Sequence, residues 1–283
     1  MSMDKVTRIL QQHFHIARWT ITPPVDGQQK TCFVAQSGKQ KVFVKFDVPL
    51  APLLRLGEIG VAPRVLASGT EDDIPYVVQE YITGNYPDWR WFAEHLSTLA
   101  TFIRHYHTDM QLAALLTSEE STNYAEHIAL DIANLEAQFT SLESDVLHTP
   151  EITAAFAALK AQAKYLQPVA LVPIHADPNS KNILLLADKM LMVDWDDIRL
   201  SDPMQDIGLL LWWYVARERW QDFFQNYGLP MNEQLTDRMF WWAARSSFAI
   251  ALWHVAHHYD CASFLKDFVA AVRQESNPHA VFL

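Results

Sequence analysis

The apolar positions change period once along the chain, and the change divides it in two. Residues 4 to about 15 carry Val6, Ile9 and Leu10 on one side, which predicts a short amphipathic helix. Residues 18–22, 31–36 and 40–46 are β-rich runs, the last two joined by the tight turn Ser37-Gly38-Lys39. A brief helix over 52–59 and two further strands, 65–68 and 76–81 around the polar loop 69–73, complete this part. From Trp89 the period becomes helical. Leu96, Leu99, Ile103 and Tyr106 mark one helix, and Ile128, Ile132, Leu135, Phe139 and Leu142 mark a second. A third begins at Thr149-Pro150-Glu151, with an N-cap, a first-turn proline and an acid, and carries Phe156, Leu159 and Leu166. Residues 206–217, 220–227 (ended by Gly228), 232–257 and 263 to about 273 are helical again. The expected domains are therefore a strand-rich 1–83 and a helix-rich 84–283.

One stretch of the second part breaks its helical rhythm. Ile183 to Leu186 and Met190 to Val193 are two apolar runs of four around Ala187-Asp188-Lys189, a gap that suits a β-hairpin. With a three-residue loop, Leu186 faces Met190, Ile183 faces Val193 and Asn182 faces Asp194. An amide oxygen and a carboxylate side by side at the open end of a hairpin are hard oxygen donors, suited to Mg2+. Asp177 lies five residues earlier, on the loop that enters the hairpin. One carboxylate to accept a hydroxyl proton, and a second with an amide to hold metal on nucleotide phosphates, is the set that phosphoryl transfer requires.

These residues carry a resemblance. His175-x-Asp177-x4-Asn182, followed twelve residues later by Asp194 in Val193-Asp194-Trp195-Asp196, resembles the H-G-D-x-x-x-x-N and D-W-E signatures of the aminoglycoside phosphotransferase and choline kinase group. The resemblance implies Asp177 as catalytic base, His175 as a positioning residue of its loop, and Asn182 and Asp194 as Mg2+ ligands. Asp206, in Pro203-Met204-Gln205-Asp206-Ile207-Gly208, matches the D-P-x-x-D motif that follows and reads as a buried brace for the loop. Ala176 stands where the group has Gly, and an alanine asks for ordinary backbone angles.

In residues 42–46 the period-2 alternation sends Lys45 to the face opposite Val44. Together with the downstream metal ligands, it reads as the lysine that holds the α- and β-phosphates of ATP or another nucleoside triphosphate. In related folds this lysine pairs with a Glu on the next helix. Here the nearby acids are Glu58, close to the helix end, and Asp47, neither at the usual spacing, so Lys45 is expected to be unpaired until nucleotide arrives. The loop 23–29 stands where a phosphate cover would lie, with a single Gly. By resemblance, the segment 79–84 is the hinge between lobes, with backbone of Glu80 and Ile82 toward the adenine edge.

The 283 residues are 50% hydrophobic and 19% charged, which suits a globular protein with a large core and argues against disorder. Cys32 and Cys261 stand in no metal spacing, there is no apolar leader and no membrane-length run, and a reducing, cytoplasmic setting is expected. Net charge is −11 but uneven. Residues 1–83 hold 9 Lys+Arg against 8 Asp+Glu, and residues 84–283 hold 13 against 25. That distribution argues against a nucleic-acid partner, which demands a basic face, and suits a cationic small-molecule acceptor. Six of the ten Trp fall between 212 and 253; most are expected in the core, with one or two left to line a cation pocket helped by Asp197, Asp202 or Asp260.

The expected fold is α+β: the two-lobe, protein-kinase-like plan, with an N-terminal antiparallel sheet lobe that includes a short helix and a mainly helical C-terminal lobe. A protein kinase would carry Arg after the loop histidine, where Ala176 stands, and needs more than the eleven residues between Asp194 and Asp206 for a substrate-binding segment. The expected activity is ATP-dependent phosphotransfer to a hydroxyl of a small acceptor. An aminoglycoside, choline, another amino alcohol and a sugar all remain open. The competing class is an inactive nucleotide-binding module acting by interaction, against which stand the retained Lys45, Asp177, Asn182 and Asp194.

Overall fold

The computed structural model describes residues 2–16, 18–24, 31–117 and 123–279. In chain order the elements are α1 (Met3–Phe14), β1 (Thr20–Thr22), β2 (Cys32–Ser37), β3 (Gln40–Phe46), α2 (Leu50–Glu58), β4 (Val65–Glu71) and β5 (Ile74–Glu80). Then come α3 (Trp89–Glu94), α4 (Leu96–His107), α5 (Met110–Leu116), α6 (Tyr124–Ser141) and α7 (Pro150–Gln162). The chain returns to short strands in β6 (Val172–Ile174), β7 (Ile183–Leu185), β8 (Met190–Met192) and β9 (Arg199–Ser201). It closes with α8 (Met204–Tyr214), α9 (Trp220–Tyr227), α10 (Glu233–Ala256) and α11 (Ala262–Val272). The expected phosphate-covering loop, 23–29, falls mostly outside the described residues.

These elements form two compact units, and neither is one continuous stretch. The first takes residues 1–86, 110–115 and 181–198, so the hairpin β7–β8 belongs with the N-terminal sheet. The second takes 87–109, 116–180 and 199–283.

In the first unit an antiparallel sheet runs in the order β1-β2-β3-β5-β4. Period-2 alternation puts Val42, Val44 and Phe46 of β3 on one face, where they meet Val6, Ile9 and Leu10 of α1. Each of those three α1 side chains is at most 1% exposed, and burying such a side chain stabilises by about 1.5–3 kcal/mol. Lys45 is thereby committed to the opposite face. β4 and β5 are longer than predicted because Asp72 and Asp73 alone make the turn, both at positive φ (51° and 62°). A two-residue turn of this hand matches strand twist, so the polar residues 69–71 stay in the ladder.

The hairpin β7–β8 is tied into this unit at two places. Met192 N–H donates to Val61 O at 2.8 Å, and Asn85 and Leu185 exchange both backbone bonds, at 3.0 and 2.8 Å. Gly84 makes the second contact feasible, because a Cβ there would meet Leu185 O at 3.0 Å.

The second unit is built around α10, whose 24 residues are buried along most of their length between α8, α7 and α11. Phe248 of α10 stacks on Phe268 of α11 at 4.4 Å, and Trp241 Nε1 donates to Leu159 O of α7 at 3.0 Å. Trp212, Trp220, Trp241 and Trp242 are core residues, as expected, whereas Trp253 is exposed. Helix starts carry the caps their sequences offer: Asn123 in a capping box, Thr149 on Ile152 N–H, and Asn232 on Leu235 N–H. Gly228 ends α9 in the left-handed conformation, φ 91°. Leu166, expected on the α7 face, lies beyond the helix end and is only half-buried.

Candidate functional site

Lys45 is in the middle of the five-stranded sheet, between Cys32 of β2 and Val77 of β5. Its side chain is almost wholly buried, and it is not unpaired. Nζ donates to Asp194 Oδ1 at 2.9 Å and forms a second ion pair with Asp196 Oδ1. Burial acts to push the ammonium toward its neutral form, but the two carboxylates outweigh that and hold its pKa above the ordinary lysine value. Neither carboxylate considered from the sequence is the partner. Glu58 pairs with Arg55 on the surface, and Asp47 is exposed at a left-handed bend. Both partners lie beyond the end of β8, 149 and 151 residues along the chain from Lys45, where no local pattern around the lysine points to them.

The hairpin register differs by one from the sequence expectation. Ile183 faces Met192, Leu184 faces Leu191 and Leu185 faces Met190. The turn is four residues long, with Leu186 N–H bonded to Lys189 O, so the apolar Leu186 leaves the strand for the loop. Asn182 therefore stands opposite Val193, whose N–H donates to Asn182 O at 2.8 Å, and not opposite Asp194. Asp194 comes one residue later, at φ 65°, in the left-handed region. Trp195 anchors this exit: its indole is buried and Nε1 donates to Met192 O at 2.8 Å.

In the second unit β6 pairs with β9 and delivers the chain into His175-Ala176-Asp177. Asp206, in the first turn of α8, is wholly buried and holds that loop by its backbone. Oδ2 accepts His175 N–H at 2.8 Å, and Oδ1 accepts Ala176 N–H at 2.8 Å. Tyr106 OH donates to Oδ2 at 2.8 Å, and His107 Nε2 reaches it at 3.2 Å while its Nδ1 bonds to Tyr227 OH. Burial disfavours the charge on Asp206, but the bond and charge of His107, with His175, more than offset it and hold the carboxyl below the ordinary aspartate range. The same environment pushes the hydroxyls of Tyr106 and Tyr227 far up, principally through burial, so both stay protonated donors. The brace expected at Asp206 is present, and Tyr106, His107 and Tyr227 beneath it were not foreseen.

Ala176 adopts φ 74°, the left-handed angle that a glycine would take, instead of the ordinary angles an alanine asks for. The bond from Asp206 to its N–H is one of the contacts that keep it there. Past it, Asp177 is exposed. Its N–H donates to His175 Nδ1 at 3.3 Å, and Oδ2 accepts from Asn179 Nδ2 at 2.9 Å. Ser180 N–H donates to Tyr214 OH at 3.2 Å, and Tyr214 stacks on Phe92 at 4.6 Å.

One further expectation changes. Asp202 does not line a pocket: it is wholly buried, accepting Tyr124 OH at 2.7 Å and Met204 N–H at 2.8 Å, and it pairs with Arg238 at 3.1 Å. Asp197 and Asp260 are exposed. In the expected hinge, the Glu80 N–H is spent on Arg64 O and its carboxylate accepts Arg64 N–H, both at 3.0 Å, while Ile82 lies past the strand end and is half-buried.

Residues 44–239 match the model of the phosphotransferase enzyme family. The chain belongs to that family. Its fold is also that of solved phosphotransferases. An aminoglycoside phosphotransferase solved with ADP and hygromycin B is 15% identical with a TM-score of 0.71, over 95% of this chain and 98% of that one. A choline kinase from Streptococcus pneumoniae is 16% identical with a TM-score of 0.68, over 96% and 98%. A spectinomycin phosphotransferase solved with ADP and spectinomycin is 16% identical with a TM-score of 0.65, over 99% and 96%. At these identities the likeness is one of fold, and it bears out the α+β, protein-kinase-like expectation. No described helix is long and apolar enough to cross a membrane.

Proposed function

We propose that this phosphotransferase moves the γ-phosphoryl group of ATP to a hydroxyl of a small acceptor that carries at least one amine or quaternary ammonium. The observation that carries the reading is the buried Lys45 ammonium held by Asp194, two groups 149 residues apart that the fold brings to one place in the first unit. A buried ammonium is costly to desolvate, and its pair with a half-exposed carboxylate contributes little net stability. It is what a phosphate-binding lysine and a metal-binding carboxylate look like before nucleotide arrives.

In this reading Lys45 holds the α- and β-phosphates, and backbone of Glu80 and Ile82 receives the adenine edge. Asn182 and Asp194 would hold Mg2+. The donors fit that ion in kind, an amide and a carboxylate that are both hard oxygen ligands, with Asn182 opposite Val193 and Asp194 one residue beyond that pair at the open end of the β7–β8 hairpin. When bound, the ion neutralises charge on the phosphates. Asp177 accepts the acceptor's hydroxyl proton; its exposed carboxylate is steadied by Asn179, and its backbone by His175 and, through Ala176, by Asp206. The cationic acceptor follows from the 25 acidic against 13 basic residues of 84–283. Choline is itself a quaternary ammonium alcohol, and choline kinases share the fold.

The test is a coupled ADP-release screen of the purified chain with MgATP across aminoglycosides, choline, other amino alcohols, neutral sugars and anionic alcohols. Turnover with an amine-bearing alcohol above the acceptor-free rate supports the reading. Turnover with no alcohol contradicts it, and a neutral or anionic alcohol turned over best contradicts the acceptor class while leaving the transferase assignment standing.

A further inference from the structure

Lys45 has two carboxylate partners, and the nucleotide reading above gives only Asp194 a task. The two are not equivalent. Asp194 has 55% of its side chain exposed and sits at a left-handed bend, open to a ligand from solvent; Asp196 is 27% exposed and lies next to the anchored Trp195. On α2, where a partner for Lys45 was sought, the one acid is Glu58, and it is 67% exposed and paired with Arg55. If Asp194 turns to a metal-bound nucleotide, a lysine with no other partner would lose its anchor at the moment its position matters. An ammonium has three N–H donors and can serve a carboxylate and phosphate oxygens together.

We propose that Asp196 is the positioning counter-ion of Lys45, filling the place that a helix carboxylate would otherwise take, so that Asp194 can engage metal and nucleotide while the lysine stays aimed. Asp196 acts through Lys45 and touches neither metal nor phosphate. The consequence is a division of labour between two acids two residues apart. Losing Asp194 harms the metal-dependent part of nucleotide binding, and losing Asp196 harms the lysine-dependent part.

The proposal rests on the nucleotide reading, and titration calorimetry with ATP, in Mg2+ and in EDTA, separates the two. Asp196→Asn is expected to weaken ATP binding about tenfold in both conditions, with no change in the Mg2+ concentration that half-saturates the effect, and Asp196→Glu to recover most of the loss. In a Lys45→Met background Asp196→Asn should cause no further loss. Unchanged or tighter ATP binding by Asp196→Asn would overturn the proposal, since Asp196 would then only neutralise a charge that competes with phosphate. A loss confined to Mg2+ would also overturn it and make Asp196 a metal ligand. Should Lys45→Met not fold, the comparison of Asn with Glu at 196 decides alone. Absence of ATP binding by the unaltered protein would instead defeat the nucleotide reading itself.

Discussion

Asp206 Oδ1 accepts the backbone N–H of Ala176 at 2.8 Å, so a carboxylate in the first turn of α8 helps hold an alanine at φ 74° one residue before Asp177. Replacing Asp206 by Ala strips buried acceptors from two backbone N–H groups, from Tyr106 and from His107. That should cost about 3–5 kcal/mol of unfolding free energy, read from denaturant midpoints. A loss below 1 kcal/mol would show that the loop does not depend on this brace.

The depressed pKa of the same carboxyl sets a pH dependence. A group whose folded pKa lies below its unfolded value contributes stability that is fully present above the unfolded value, about 3.9, and is lost as pH falls through the folded one. The unaltered protein should therefore lose stability as pH drops below about 4. Asp206→Asn, though weaker at neutral pH, should show a flatter acid limb. Parallel acid limbs for the two proteins would exclude Asp206 as a source of that slope.

Ala176 carries backbone strain that a glycine would not. Ala176→Gly relieves a left-handed cost of about 1–2 kcal/mol and returns roughly 0.5–1 kcal/mol in chain entropy. The melting temperature should hold or rise slightly. Ala176→Val, with a β-branched side chain at positive φ, should lower it by several degrees. The opposite order would mean that the turn relaxes to ordinary angles.

Much of this was legible in the chain itself. Periods of two and of about 3.6 gave the β3 strand and the helices α4 and α6 to α11 to within a few residues, because one-sided burial dictates both, whereas α3 and α5 were not foreseen. The apolar hairpin was visible in two runs of four around a short polar gap, and Asp206 through the resemblance of residues 202–206 to the D-P-x-x-D motif. What failed depended on single residues or on distant ones. The hairpin register turned on whether Leu186 pairs or turns, a choice that moves every opposed residue by one. The partners of Lys45 lie 149 and 151 residues away at Asp194 and Asp196, so no local period could reveal them. The left-handed angle at Ala176 runs against the residue's own preference and is held there by its surroundings.

The acidic balance of residues 84–283 predicts a salt effect. Long-range attraction is screened beyond roughly 8 Å at physiological ionic strength, so kcat/KM for a cationic acceptor should fall as NaCl rises while that for a neutral alcohol stays level. Equal slopes for both would reduce the acidic surface to a matter of solubility.

Loss of Asp194 should act chiefly through metal. Asp194→Asn removes a charged hard ligand, and nucleotide binding in Mg2+ should weaken more than binding in EDTA. Equal losses would point to the broken pair with Lys45 as the cause.

The central claim is phosphoryl transfer with Asp177 as the base, and the most direct measurement follows the label from γ-labelled ATP in the unaltered protein and in Asp177→Asn, with the best amine-bearing alcohol from the screen. The account predicts label in a phosphomonoester of that alcohol, formed roughly 10^2-fold or more slowly by the variant, with ATP affinity little changed. Label found solely in inorganic phosphate, or an Asp177→Asn variant that transfers at the full rate, would contradict it.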